Sequence, residues 1–143
     1  MSSIPLHYID LRAFCYVTED DARVEDALRT FLPEDFELDR AESAGHYGDR
    51  ILVLSARVEN ADDLRTVLDA LGDLPDEESE RITDELDERV NENTAFFLTL
   101  DKQAAFNGEV TTGDGITLRA KVEAYPAKKE AAVENIEDVL EDL

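Results

Sequence analysis

Tryptophan is missing from this chain, methionine and cysteine each occur once, and lysine occurs only four times in 143 residues. The single thiol, Cys15, can form neither an intrachain disulfide nor a structural zinc site by itself, which fits a reducing compartment. No uninterrupted apolar run approaches the roughly 20 residues that span a bilayer. The start, Met1-Ser2-Ser3-Ile4-Pro5, has neither the basic nor the apolar stretch of a signal peptide. These absences predict a soluble, cytoplasmic protein without membrane contact. There is also no Gly-rich phosphate loop followed by Lys-Ser or Lys-Thr, no His pair at helical spacing and no Cys cluster, so the sequence calls for no metal and no cofactor.

Positive charge is the other scarcity. Thirty-six acidic residues face 14 basic ones, for a net charge of −22. Apolar residues nevertheless recur through nearly every segment, as a chain unable to bury a core would not show. Dense Asp and Glu with little Lys match the surface of a protein from a halophilic, salt-saturated cytoplasm. At about 1 M salt the Debye length is only about 3 Å, and neighbouring carboxylates scarcely repel. Global charge then reports the solvent, and local patches report the ligand. All four lysines, Lys102, Lys121, Lys128 and Lys129, fall within 28 residues. A cation retained there meets either a carboxylate of its own fold or an external anion such as phosphate.

The length and the 43% apolar content suit one domain over residues 1–143. Period-two alternation predicts strands at 8–17, 51–59, 94–101 and 116–125, with a weaker strand at 36–42 joined to the second by the turn Gly45-His46-Tyr47-Gly48. Helical spacing predicts a first helix capped within 18–21 and closed by Pro33. A second opens at Asn60 and stops at Gly72 in a left-handed conformation. A narrow-striped third covers 76–93 through Ile82, Leu86 and Val90, and a last helix runs from 127 to the end. One apolar face per strand and one stripe per helix imply an α+β fold, a mainly antiparallel sheet packed on one face by helices in a two-layer sandwich. The sheet's other face is then open. It is predicted to carry Asp10, Arg12, Ser55, Arg57, Thr99, Asp101, Arg119, Lys121 and Glu123, of which four are cations.

Three stretches carry candidate chemistry. In Leu100-Asp101-Lys102-Gln103, followed by Asn107-Gly108, a charged pair and an amide stand at a strand exit before a turn. Asp101 and Lys102 either pair with each other or serve a ligand. Lys128 and Lys129 are placed in the first turn of a helix, where the dipole disfavours positive charge. They either reach a carboxylate such as Glu123 or hold an anion with the free N–H groups of that helix start. His46, in its glycine-bracketed turn, is either a turn residue or a base or stacking ring.

His7-Tyr8 with Arg12, the Gly45-His46-Tyr47-Gly48 turn, Leu100-Asp101-Lys102-Gln103 with Phe106 and Gly108-Glu109, and Lys121-Val122-Glu123-Ala124-Tyr125-Pro126-Ala127-Lys128 together resemble an archaeal family of small RNA-binding proteins described as exosome-associated. That family's fold is likened to the double-stranded-RNA-binding domain. The resemblance covers about the whole chain in order, and departs in the acidic helix at 76–93 and in overall charge. It implies an α+β domain, RNA as ligand, and a role in RNA processing or decay beside partners such as an archaeal exosome.

The resulting expectation is a non-enzymatic RNA-binding module. Arg12, Arg57, Arg119 and Lys121 contact phosphates from the sheet, and Lys102, Gln103, Lys128 and Lys129 act from its rim. Tyr8, His46, Tyr47 and Tyr125 are available to stack on unpaired bases. Two other readings stay open: a scaffold subunit that docks through an apolar patch or strand edge, with self-association into a homodimer as a variant, and an enzyme for a phosphorylated small molecule using Asp101, Lys102 and His46.

Overall fold

The structure is a computed structural model that describes residues 4–16, 18–44 and 48–143. Five strands, β1 (Leu6–Cys15), β2 (Asp39–Ala44), β3 (Arg50–Val58), β4 (Ala95–Asp101) and β5 (Gly115–Val122), form one sheet in the order β2-β3-β1-β5-β4. Every neighbouring pair is antiparallel. Six helices accompany it among the described residues: α1 (Asp21–Arg29), α2 (Ala61–Leu71), α3 (Asp76–Asp84), α4 (Leu86–Arg89), α5 (Lys102–Phe106) and α6 (Lys129–Glu141). The expected α+β sandwich is the observed architecture.

Alternation decides which face is covered. Ile9, Leu11, Ala13 and Cys15 of β1, Leu52, Leu54, Ala56 and Val58 of β3, and Ile116, Leu118, Ala120 and Val122 of β5 are all buried in one cluster with the helices' apolar stripes. Val24, Ala27 and Leu28 enter it from α1, Leu64, Val67 and Leu71 from α2, and Ala132 and Ile136 from α6. Each fully buried Leu, Ile or Phe side chain contributes about 1.5–3 kcal/mol relative to exposure. Tyr8, Asp10, Arg12 and Phe14 therefore have to point the other way.

Several predicted boundaries move, each for a local reason. The first strand starts earlier, at Leu6, and ends at Cys15; Val17 lies outside the described residues. The weak strand at 36–42 slides to Asp39–Ala44, because Phe36 is held in a turn by its N–H to Pro33 O and by its carbonyl to Arg29. Gly72 is right-handed at φ −63, not left-handed. The chain leaves α2 through tight turns from Asp73 N–H to Ala70 O and Leu74 N–H to Leu71 O.

The helix expected over 76–93 breaks at Glu85 into α3 and α4 and ends at Arg89. Ile82, Leu86 and Val90 are buried as the stripe requires, yet Val90 is already extended and bridges to Phe96. Asn91 makes the change by accepting the N–H groups of Asn93 and Ala95 on its side chain, a local turn that competes with helix.

The least expected element is α5. Asp101 caps it by accepting the Ala104 N–H at 2.9 Å, so the strand exit turns straight into a short helix. Gly113 makes room for that cap, since a Cβ there would fall 2.6 Å from the Asp101 Cβ. α1 packs on α5, with the Thr30 hydroxyl donating to Ala105 O at 2.6 Å and the Arg23 guanidinium 4.2 Å from the Phe106 ring centre.

Candidate nucleic-acid interface

On the uncovered face the strand registers bring the polar residues into rows. Arg57, Asp10, Arg119 and Phe97 are successive partners across β3, β1, β5 and β4. The next row reads Ser55, Arg12, Thr117, Thr99, and Lys121 faces Tyr8 on the other side. Opposed residues in such ladders have Cβ atoms roughly 4.5–5.5 Å apart, and diagonal neighbours are still roughly 7–8 Å apart. Arg12, Arg119 and Lys121 thus form one contiguous group.

The cations differ in what holds them. Asp10 grips Arg57 through two bonds, Nε–Oδ1 at 2.8 Å and Nη2–Oδ2 at 2.9 Å. That hydrogen-bonded pairing raises the Arg57 pKa still further. The Arg57 guanidinium also lies 4.0 Å from the Tyr8 ring centre and covers that ring. Arg12 and Arg119 have no acidic partner among the described residues, and Lys121 donates only to the Asn93 carbonyl. The Arg119 Nε is sealed from solvent without any hydrogen-bond partner among the described residues, while its guanidinium stands 5.9 Å from the Phe97 ring centre.

The rim candidates are arranged otherwise. Lys102 donates to Phe14 O at 2.9 Å and pairs with Glu19 at 2.7 Å, its side chain only 15% exposed. Burial alone would raise the Glu19 pKa; the Lys102 hydrogen bond, the Tyr16 N–H and the Lys102 charge prevail and hold it low. The Asp101–Lys102 pair considered from the sequence does not form, because Asp101 is spent on the α5 cap. Gln103 lines a hollow with Glu19, Arg23 and Phe106. Lys128 is the extended N-cap residue of α6 and not a first-turn residue; Lys129 is the first helical residue and reaches Asp87 at 3.6 Å. Tyr125 is 84% exposed. His46 and Tyr47 lie outside the described residues.

Cys15 is buried. Burial, and then its hydrogen bond to Asp21 at 3.2 Å, push the thiol up to about 11. Among the described residues no group of His, Cys, Asp and Glu could hold a metal ion, and no helix is long and apolar enough to cross a membrane.

Sequence reasoning missed Phe97 and Phe14. Both stand on the open face and are partly exposed, Phe97 at 37%. A signal was there, since Phe97 falls between the inward Phe96 and Leu98 and so on the polar parity of its strand.

A family model described as RNA binding matches residues 8–122 of the chain. The protein belongs to this RNA-binding family. The matched segment runs from the Tyr8 of β1 to the last residue of β5 and so contains the whole open face. The RNA-binding protein PAB1135 of Pyrococcus abyssi is 37% identical over 94% of both chains. Two solved structures share the family fold: Mth689 of Methanothermobacter thermautotrophicus, a DUF54 protein, at 38% identity and TM-score 0.78 over 94% of this chain and 98% of that one, and AF2318 of Archaeoglobus fulgidus at 28% and 0.83 over 94% and 99%.

Proposed function

We propose that this protein binds RNA, without catalysing its turnover, on the open face of the sheet, and that it serves as an accessory factor in RNA processing or decay, alongside an exosome, in a halophilic archaeon. One observation carries the reading. Arg12, Arg119 and Lys121 form a contiguous group, none of which makes an ion pair among the described residues, the nearby Asp10 being bonded to Arg57, in a chain of net charge −22. Where acids outnumber bases so heavily, three adjacent cations left unpaired have a polyanion as their natural partner. The RNA-binding family and the relative PAB1135 support the same ligand.

In this reading Arg12, Arg119 and Lys121 meet phosphate or base edges, and Arg57 joins them when Asp10 lets go. Gln103, Lys128 and Tyr125 are secondary contacts at the rim. Lys102 and Lys129, already paired with Glu19 and Asp87, serve the fold. A scaffold role has less behind it: β2 is a free edge with all six residues exposed, but Asp39, Arg40 and Glu42 make it a poor template for another strand.

Crosslinking the protein to cellular RNA in high salt, with mapping of the crosslinked peptides, tests the placement. Peptides from β1, β4 and β5 are expected. Crosslinks confined to α2, α3 and α6 would contradict it.

A further inference from the structure

We propose that the open face takes RNA in unpaired form, with one nucleobase stacked on the Phe97 ring and its polar edge or adjoining phosphate bound by Arg119. This rests on the sheet-face reading above and adds the form of the ligand and the seat of one nucleotide.

Phe97 is the first reason. A phenyl ring on the polar parity of β4, more than a third exposed, contributes little to a core that Phe96 and Leu98 already fill from the other side. Its cross-strand partner is Arg119, so a flat group lying on the ring would have its edge beside a guanidinium.

Arg119 is the second. A sealed charged donor with no partner is costly, about 1–3 kcal/mol or more, and nothing in the fold recovers it. The one carboxylate opposite Arg119 is Asp10, and both of its oxygens are engaged by Arg57. The terminal nitrogens of the same guanidinium, which have no acceptor among the described residues, are what an external acceptor brought in along the sheet surface can meet.

Shape is the third. Tyr8, the obvious ring in the sequence, has its face covered by Arg57 at 4.0 Å, whereas the guanidinium over Phe97 is that of the unpaired Arg119, farther off at 5.9 Å; Phe14, the other exposed ring of this face, is opposite Val53 and not opposite a cation. In an A-form duplex the bases are stacked on one another and present no free face, and recognition proceeds through ribose hydroxyls and phosphates. A ring set in a flat sheet is useful only to a base that has left its stack. Base-on-aromatic stacking contributes about 1–3 kcal/mol per base.

The test compares fluorescence-anisotropy titrations of the full chain, in about 1 M KCl to screen its charge, with a single-stranded RNA of about 12 nucleotides and with the duplex of the same length. Wild type is expected to prefer the single strand. Phe97→Leu should lose about 5- to 100-fold in single-strand affinity with an unchanged thermal midpoint, and Phe97→Tyr, which keeps the ring, should retain it. Equal binding of single strand and duplex together with a silent Phe97→Leu overturns the inference. Loss of binding in the combined variant Arg12→Gln, Arg119→Gln, Lys121→Gln would in that case leave the sheet-face reading standing; a combined variant that binds as wild type would remove both.

Discussion

Two arginines at equivalent places on the strands that flank β1 have opposite fates. Arg57 and Arg119 flank Asp10 from either side, and the single carboxylate serves only Arg57. Asp10 therefore sets how much positive charge the face presents: it holds one cation against Tyr8 and leaves the other unsatisfied. Asp10→Asn should release Arg57 and remove a negative charge from the middle of the group. RNA affinity by anisotropy is expected to rise about 2- to 10-fold, with thermal stability changed by no more than about 1 kcal/mol, the usual range for an exposed pair. A fall in affinity would mean that Asp10 itself contacts the ligand. The candidacy of Arg12, Arg119 and Lys121 was legible from strand parity alone. That Arg57 is restrained and Arg119 is not was illegible, because it depends on which of two equally spaced neighbours a carboxylate chooses.

At the level of elements, the strands were readable because period two survives small errors at the ends: moving β1 from 8–17 to Leu6–Cys15 leaves every side chain on its expected face. The five residues of α5 are too few to show a helical period. What forms that helix is the Asp101 cap, the contact with α1, and Gly115, whose φ of +111 and close approach to Lys102 leave no room for a side chain. The cap is local, a bond from the Ala104 N–H to Asp101, but the other two join segments distant in sequence. Lys102 joins α5 to the end of β1 through Phe14 O and Glu19, and in the proposed function it acts on stability. Lys102→Met should cost about 1–3 kcal/mol, read as a lower denaturation midpoint, with RNA affinity within twofold of wild type at a temperature where both are folded. The pair also sets a pH dependence. Glu19 has its pKa lowered in the folded state, so its contribution is complete above the ordinary carboxylate range and is lost as pH falls through the folded value. The variant's deficit should accordingly shrink in acid.

For the whole molecule, the proposed function joins the acid excess to the open face: a chain of net charge −22 in which Arg12, Arg119 and Lys121 stand together without an ion pair among the described residues. The acid excess is plain in the composition and the clustering of lysine pointed to Lys121, although Lys102 and Lys129 are paired within the fold and the group proposed for the ligand draws instead on Arg12 and Arg119. Self-repulsion at −22 should make the thermal midpoint climb steeply between about 0.1 and 1 M KCl, as the Debye length shrinks from about 10 to about 3 Å; a midpoint indifferent to salt would count against this view of the surface. The most direct test of the central claim is the affinity for single-stranded RNA of the variant carrying Arg12→Gln, Arg119→Gln and Lys121→Gln, measured across a salt series against wild type. The account predicts a loss of about 100-fold or more and a salt dependence shallower by about 2 in log–log slope, for three phosphate contacts removed. Wild-type affinity and slope in that variant would contradict it.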